Sequence, residues 1–157
     1  MQKVLQWFKT VLKGSQQYLD LKQYSVFEQL GSFDLYLLKE IMHERVFKPN
    51  EVIFEAGYPL EVIYFIKSGE IRLQAENNLK TNKVLGPGEH LGILDLYYST
   101  QRSSTAIAQS KVCVHGVSRT DLEDYIYSRP RAGIMILKAI NKDLSRMLFD
   151  AREIDQK

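Results

Sequence analysis

Cysteine is almost absent from this sequence: Cys113 is the single one in 157 residues, beside one tryptophan and four prolines. A lone thiol forms no internal disulfide and cannot ligate an iron–sulfur cluster. With His43, His90 and His115 at no ligand spacing, no zinc set can be assembled either, so no metal is expected. No apolar run approaches the roughly 20 residues that span a bilayer, and Gln6, Lys9 and Lys13 interrupt the N-terminal stretch, unlike a secretory signal. A reducing, cytoplasmic setting away from the membrane is expected. A marked excess of charge of one sign is missing too. With 21 basic against 19 acidic residues the net charge is +2, which lacks the basic footprint of a nucleic-acid binder, so no direct nucleic-acid partner is expected. P-loop, nucleophile elbow, H-E-x-x-H and dinucleotide fingerprints are all lacking, leaving no catalytic residue to nominate and pointing away from an enzyme.

What is present fits one soluble domain with appended helices: 45% hydrophobic and 25% charged residues at a length able to bury a sizeable core. Val4, Leu5, Trp7, Phe8, Val11 and Leu12 fall at helical spacing, with Lys3, Lys9 and Lys13 on the remaining surface. This amphipathic helix either packs on the domain or meets a partner or membrane surface; Gly14-Ser15 ends it. A second helical pattern covers about 26–45, with Phe27, Leu30, Phe33, Leu37, Leu38, Ile41 and Met42 on its apolar side.

From Phe47 the period shortens. EVIFEA at 51–56, EVIYFIK at 61–67 and EIRLQA at 70–75 are short β-branched and aromatic runs, punctuated by Gly57-Tyr58-Pro59 and Ser68-Gly69. EIRLQA alternates cleanly, whereas EVIYFIK is apolar on both sides and so must be covered on both faces. A polar hairpin tip at 76–82 leads to a resumed strand at 83–85, and 105–110 with 111–117 form a last strand pair. Many short antiparallel strands predict a sandwich or jelly roll. Ser118 and Thr120, each followed three residues later by an acidic residue, predict capped helix starts, with a helix through Tyr127. Pro130 suits the first turn of a final helix. There Leu137, Ile140, Leu144, Met147, Ala151 and Ile154 repeat at 3 and 4, a heptad seam that pairs with a second copy or lies on the domain's own strands.

Residues 86–106, GPGEHLGILDLYYSTQRSSTA, carry the candidate chemistry. Gly92 lets the backbone come close to an anion, a short helical turn from Ile93 offers free N–H groups, and Arg102 adds a planar bidentate charge. Ser103 and Ser104 follow with hydroxyls and amides. This stretch closely resembles the phosphate-binding cassette of the cyclic-nucleotide-binding domain family, which includes catabolite activator protein and the protein kinase A regulatory subunits. The family pattern runs roughly F-G-E-L-A-L-x-x-x-x-P-R-x-A-T, and Leu91, Gly92, Leu94, Leu96, Arg102 and Thr105 fall on it without a gap. The stretch from Pro49 to Ile71 resembles the family's opening hairpins, so the likeness extends over about residues 27–150.

The resemblance implies a mainly β fold with flanking helices: an antiparallel jelly-roll β-barrel, N-terminal helices and a long C-terminal helix. It divides the chain into an N-terminal helix and connector at 1–25, a β-roll at 26–128 with the cassette at 88–106, and a lid or dimerisation helix at 129–157. It further implies a sensing domain whose ligand is cyclic AMP, cyclic GMP or another small anion, with no other cofactor. Gly92, Leu94, Arg102, Ser103 and Ser104 would hold the phosphate. Leu91, Ile93, Asn141 and Ser145 would line the ribose and base pocket, and Asp95 would turn to solvent. The final helix would close over the ligand and pair two copies into a homodimer. Two positions depart from the pattern: the family's glutamate, which takes the ribose 2′-hydroxyl, falls at Ile93, and its proline at Gln101. An unpaired hydroxyl costs about 1–3 kcal/mol, a ten- to hundredfold loss in affinity. The alternative is a module that keeps the fold for assembly and binds no nucleotide. The family's transcriptional regulators carry a helix-turn-helix domain after the long helix; a chain complete at Lys157 would lack it and signal through another protein.

Overall fold

Residues 18–75 and 82–155 are described by a computed structural model. The expected helix at 1–13 and nearly all of the hairpin tip at 76–82 lie outside the described residues. Among the described residues, eight strands follow a 3-10 turn at Leu19–Gln23 and helix α1 (Ser32–Glu40): β1 (His43–Phe47), β2 (Val52–Phe54), β3 (Val62–Ser68), β4 (Ile71–Ala75), β5 (Asn82–Leu85), β6 (His90–Leu91), β7 (Ser104–Ala108) and β8 (Val112–Ser118). Helices α2 (Arg119–Ser128) and α3 (Pro130–Asp155) end the chain. The strands form two antiparallel four-stranded sheets, β1-β8-β3-β6 and β2-β7-β4-β5, the jelly-roll arrangement that many short strands implied.

The strand that reads as apolar on both faces is the centre of the packing. In β3, Ile63, Tyr64, Phe65 and Ile66 are all buried. Ile63 and Phe65 face a core shared with the helices, among Phe27, Leu38, Leu122 and Ile136. Tyr64 and Ile66 face the space between the sheets, against Ile71, Leu85, Ala106 and Val114. Two-residue alternation in a doubly covered strand thus joins both cores in one element. The Ser118 cap is also as expected: its Oγ accepts the Asp121 amide at 3.0 Å and starts α2.

One expected helix is much shorter than its apolar pattern suggested. Residues 24–30 form successive tight turns, with the amides of Tyr24, Phe27 and Leu30 each bonded to the carbonyl three residues back, before α1 begins after Gly31. Gly31 is extended at φ −70°, ψ 160°, which breaks the helical path. The end of the same pattern, HERVF, is drawn into β1 by register with β8, His43 opposite Gly116 through Phe47 opposite Val112. Strand pairing there overrides local periodicity.

On α3 the inward face is Ala132, Ile136, Ile140 and Asp143, all buried. Of the heptad seam, Ile140 is covered, while Leu137, Leu144 and Met147 are exposed alongside Ile134, Leu148 and Phe149. The side chains of Ala151 and Ile154 lie outside the described residues. The seam therefore does not lie on the domain's own strands. No helix among the described residues is long and apolar enough to cross a membrane.

Candidate functional site

A hollow of about 730 Å³ opens between the second sheet, the segment 87–95 and the inward side of α3. Phe54 of β2, Leu73 of β4, Lys83 and Leu85 of β5, and Arg102 with Ser103 and Ser104 form one wall. Pro87 through Gly92, then Leu94 and Asp95, form a second; Gln23, Ser25 and the α3 residues Asp143, Arg146, Met147 and Asp150 close the third.

Arg102 is set by its backbone. The turn at 57–59 is stitched to the segment before β7, with the Arg102 amide on the Tyr58 carbonyl at 2.8 Å, the Gly57 amide on the Arg102 carbonyl at 2.9 Å, and Leu60 N on Thr100 O at 2.8 Å. The side chain is 7% exposed, with its guanidinium carbon 3.9 Å from the centre of the Phe54 ring. Nη2 donates to the Val62 carbonyl, while Nε and Nη1 are buried and meet no acceptor among the described residues. Burial pushes the guanidinium below its ordinary range, opposed by Tyr64 and by Asp95. It stays charged, because even a sizeable downward shift leaves arginine protonated near neutrality. Two unsatisfied donors of a buried cation, on the wall of a hollow, are the arrangement an anion with two acceptor oxygens would complete.

Gly92 makes that arrangement possible. Its φ is +90°, and a Cβ there would lie 2.9 Å from Arg102 Nη1 and 2.7 Å from Leu60 Cδ1. The expected helical turn after it is instead a run of turns, with Leu96 N on Ile93 O at 3.3 Å and Tyr98 N on Asp95 O at 3.1 Å. Among the described residues, the amides of Gly92, Ile93, Leu94 and Asp95 donate to no backbone carbonyl. The cassette therefore keeps free N–H groups without forming a helix.

Of the expected site residues, Leu91, Gly92, Leu94, Arg102, Ser103 and Ser104 are brought together around the hollow. Ile93 is not. It is fully buried in the core shared with the helices, together with Leu96 and Phe65, because the turn after Gly92 aims its apolar side chain inward. Asn141 and Ser145 also miss the hollow: Asn141 is exposed, Ser145 is half-buried, and the face that reaches it is Asp143, Arg146, Met147 and Asp150. Those four follow i, i+3, i+4, i+7, one helical stripe, and 141 and 145, each two residues from Asp143, fall about 160° away on the far side of the helix. Asp95 lines the hollow rather than turning to solvent.

The residues that sequence reasoning missed sit mostly on this third wall. Asp143 Oδ2 accepts from Ser25 Oγ at 2.9 Å, and Oδ1 accepts from Arg146 Nη2 at 2.9 Å. His90 Nε2 lies 3.7 Å from the same Oδ2. Burial lowers the His90 pKa more than the neighbouring Asp143 raises it, so the imidazole is neutral near pH 7. The signal in the sequence was Asp143 falling three residues after Ile140 on the inward stripe.

A second polar cluster lies apart from the hollow, and no spacing in the sequence announced it. Donor atoms of Asp20, Glu44 and His115 lie within 4.8 Å of one another. Lys39 Nζ is 2.7 Å from His115 Nε2 and 3.2 Å from Asp20 Oδ2, and Lys67 pairs with Glu44. Each carboxylate thus already has an ammonium partner, and no surplus negative charge is left to attract a cation.

Comparison with known proteins adds an independent line. The family profile described as "Cyclic nucleotide-binding domain" matches residues 44–128. A CRP-like cAMP-activated global transcriptional regulator from Mycobacterium tuberculosis is 26% identical over 105 residues, covering 64% of this chain and 46% of the regulator. A cGMP-dependent protein kinase from Eimeria tenella is 29% identical over 116 residues, covering 69% of this chain and 11% of the kinase. The chain thus spans less than half the length of these curated relatives. Among solved structures, a cyclic nucleotide-binding domain from Methylobacillus flagellatus superposes with a TM-score of 0.77 at 14% identity, covering 91% of this chain and 85% of that one, a likeness of fold.

Proposed function

Because the chain belongs to the cyclic nucleotide-binding domain family, we propose that it is a ligand-sensing regulatory domain that takes cyclic AMP, cyclic GMP or a related small anion into the hollow between the cassette and α3. The observation that carries this reading is Arg102: a buried cation whose Nε and Nη1 are unpartnered on the hollow's wall. The ligand phosphate would sit there, against the free amides after Gly92 and beside Ser103 and Ser104. Met147 and Leu73 offer apolar surface for a base.

Regulation in this reading is a population shift. A ligand that touches both the cassette and α3 binds the closed arrangement better than the open one, and only that difference in affinity can move the helix. The domain senses, and another domain or protein acts.

Calorimetry and thermal shift with cyclic AMP and cyclic GMP at millimolar concentration test it. Heat and a raised melting temperature with at least one, both lost in Arg102→Met, are expected. No response to either nucleotide would discard nucleotide sensing. It would favour the second reading, an assembly module that binds no nucleotide, which the exposed apolar stripe of Leu137, Leu144, Leu148 and Phe149 supports. That stripe is also where a homodimer would form; a strictly monomeric species in cross-linking at high micromolar concentration would remove the dimer.

A further inference from the structure

Among the described residues, three polar or charged side chains are buried: Arg102, His115 and Asp143. His115 is matched by its own partners, Tyr24, Lys39 and Glu44. Arg102 and Asp143 both line the hollow. One is a donor-only group carried by the segment before β7, the other an acceptor-only group carried by the last helix.

The acceptor capacity of Asp143 is only partly used. An ionised carboxylate has about four acceptor positions. Ser25 Oγ and Arg146 Nη2 fill one on each oxygen, and His90 Nε2 makes only a long contact with Oδ2 at 3.7 Å. The side chain is 10% exposed, so bulk water does little to satisfy the rest. The two preceding positions on this inward stripe are apolar, Ile136 and Ile140, and a helix held on the roll by packing alone would be served by an apolar residue at 143 as well. A carboxylate there is suited to a ligand that donates.

We infer that Asp143 is the specificity-determining group of this site: it accepts a hydroxyl hydrogen bond from a ligand whose phosphate lies on Arg102. This deepens the reading given above and rests on it. The ligand class is an anionic phosphate ester with a free hydroxyl, which in a 3′,5′-cyclic nucleotide is the ribose 2′-hydroxyl. Since Asp143 belongs to α3, this hydroxyl is the tie between ligand and lid. An analogue without it occupies the cradle and leaves the helix unheld. The role is separate from Ile93, which is sealed in the core and reaches no ligand.

The test is calorimetry on the 157-residue chain with cyclic AMP and 2′-deoxy cyclic AMP, in the parent, Asp143→Ala and Asp143→Asn. The parent is expected to bind the deoxy analogue about ten- to hundredfold more weakly, and D143A to bind both within about twofold of each other at the weaker level. D143N keeps the shape and one acceptor oxygen, so it is expected to show a reduced discrimination; parent-like discrimination in D143N overturns the assignment even if D143A does not fold. Discrimination that survives in D143A, with both ligands weakened alike, overturns it as well and leaves Asp143 a structural partner of Ser25. Equal binding of both ligands by the parent removes the Asp143 role while nucleotide sensing stands. No binding of cyclic AMP or cyclic GMP at all removes the sensing reading itself, and this one with it.

Discussion

Replacing Arg102 by methionine should separate binding from folding. The variant keeps the unbranched apolar stem of the side chain but deletes the guanidinium and its contact with Phe54. What is lost in stability is one charge-assisted hydrogen bond to the Val62 carbonyl, about 1.5–3 kcal/mol, and a cation–π contact with the Phe54 ring at 3.9 Å, about 0.5–2 kcal/mol. What is recovered is the cost of two buried donors without partners, Nε and Nη1, about 1–3 kcal/mol each. These opposing sums are nearly equal, so R102M is expected to unfold within about 2 kcal/mol of the parent, well inside the usual range of point variants. Binding has no such compensation. An anion loses two charge-assisted hydrogen bonds, about 3 kcal/mol or more, and affinity for a cyclic nucleotide should fall at least a hundredfold. Urea denaturation and calorimetry on the same preparation measure both quantities. A variant that loses more than about 4 kcal/mol of stability would refute the reasoning, because Arg102 would then be part of the core rather than a group held ready for a ligand.

Gly92→Ala places a side chain at φ +90°, 2.9 Å from Arg102 Nη1, so it is expected to cost about 1–3 kcal/mol in stability and at least about tenfold in nucleotide affinity; parent-like binding would show that the close approach is not needed. Acid should weaken the fold through two desolvated histidines, buried His115 and half-buried His90. Burial holds both His90 and His115 below the ordinary histidine range, with Lys39 adding to the effect at His115. The unfolded chain therefore takes up protons first, and stability that is full above about pH 6.5 declines as pH falls through that value toward the lower folded values. The urea midpoint should drop between pH 7.5 and 5.5, and His115→Gln should reduce that slope by about half; a flat midpoint in the parent would contradict the desolvation of both rings.

The cassette was legible because it is local. Gly92 and Arg102 are ten positions apart on one continuous segment, so their pattern could be read there, although the stitches between 57–60 and 100–102 that fix Arg102 are long-range. The same holds for the double covering of β3, since an uninterrupted apolar run has only one way to bury both faces. Ile93 was misplaced by the same logic run too far: matching a motif position gives a residue's neighbours along the chain, while the turn conformation decides whether it faces ligand or core. For an isoleucine the core is favoured by about 1.5–3 kcal/mol of burial.

The lid face was illegible for a different reason. A helix is periodic, and every stripe of α3 is consistent with its own sequence until something fixes the rotation. The heptad seam is the most regular apolar pattern on the helix, yet the roll takes a stripe that shares only Ile140 with it, Ala132, Ile136 and Ile140, because α3 must follow α2 across the turn at Arg129. Two residues of rotation, about 200°, put Asn141 on the far side of α3 from Asp143. The same setting of the helix leaves Leu144, Leu148 and Phe149 facing outward while Asp143 faces the hollow. In the proposed reading, the ligand and a second copy would therefore meet opposite sides of a single element. A ligand that pulls on Asp143 must turn or tilt the apolar stripe with it, and this makes the helix itself the path by which occupancy of the hollow would be felt elsewhere.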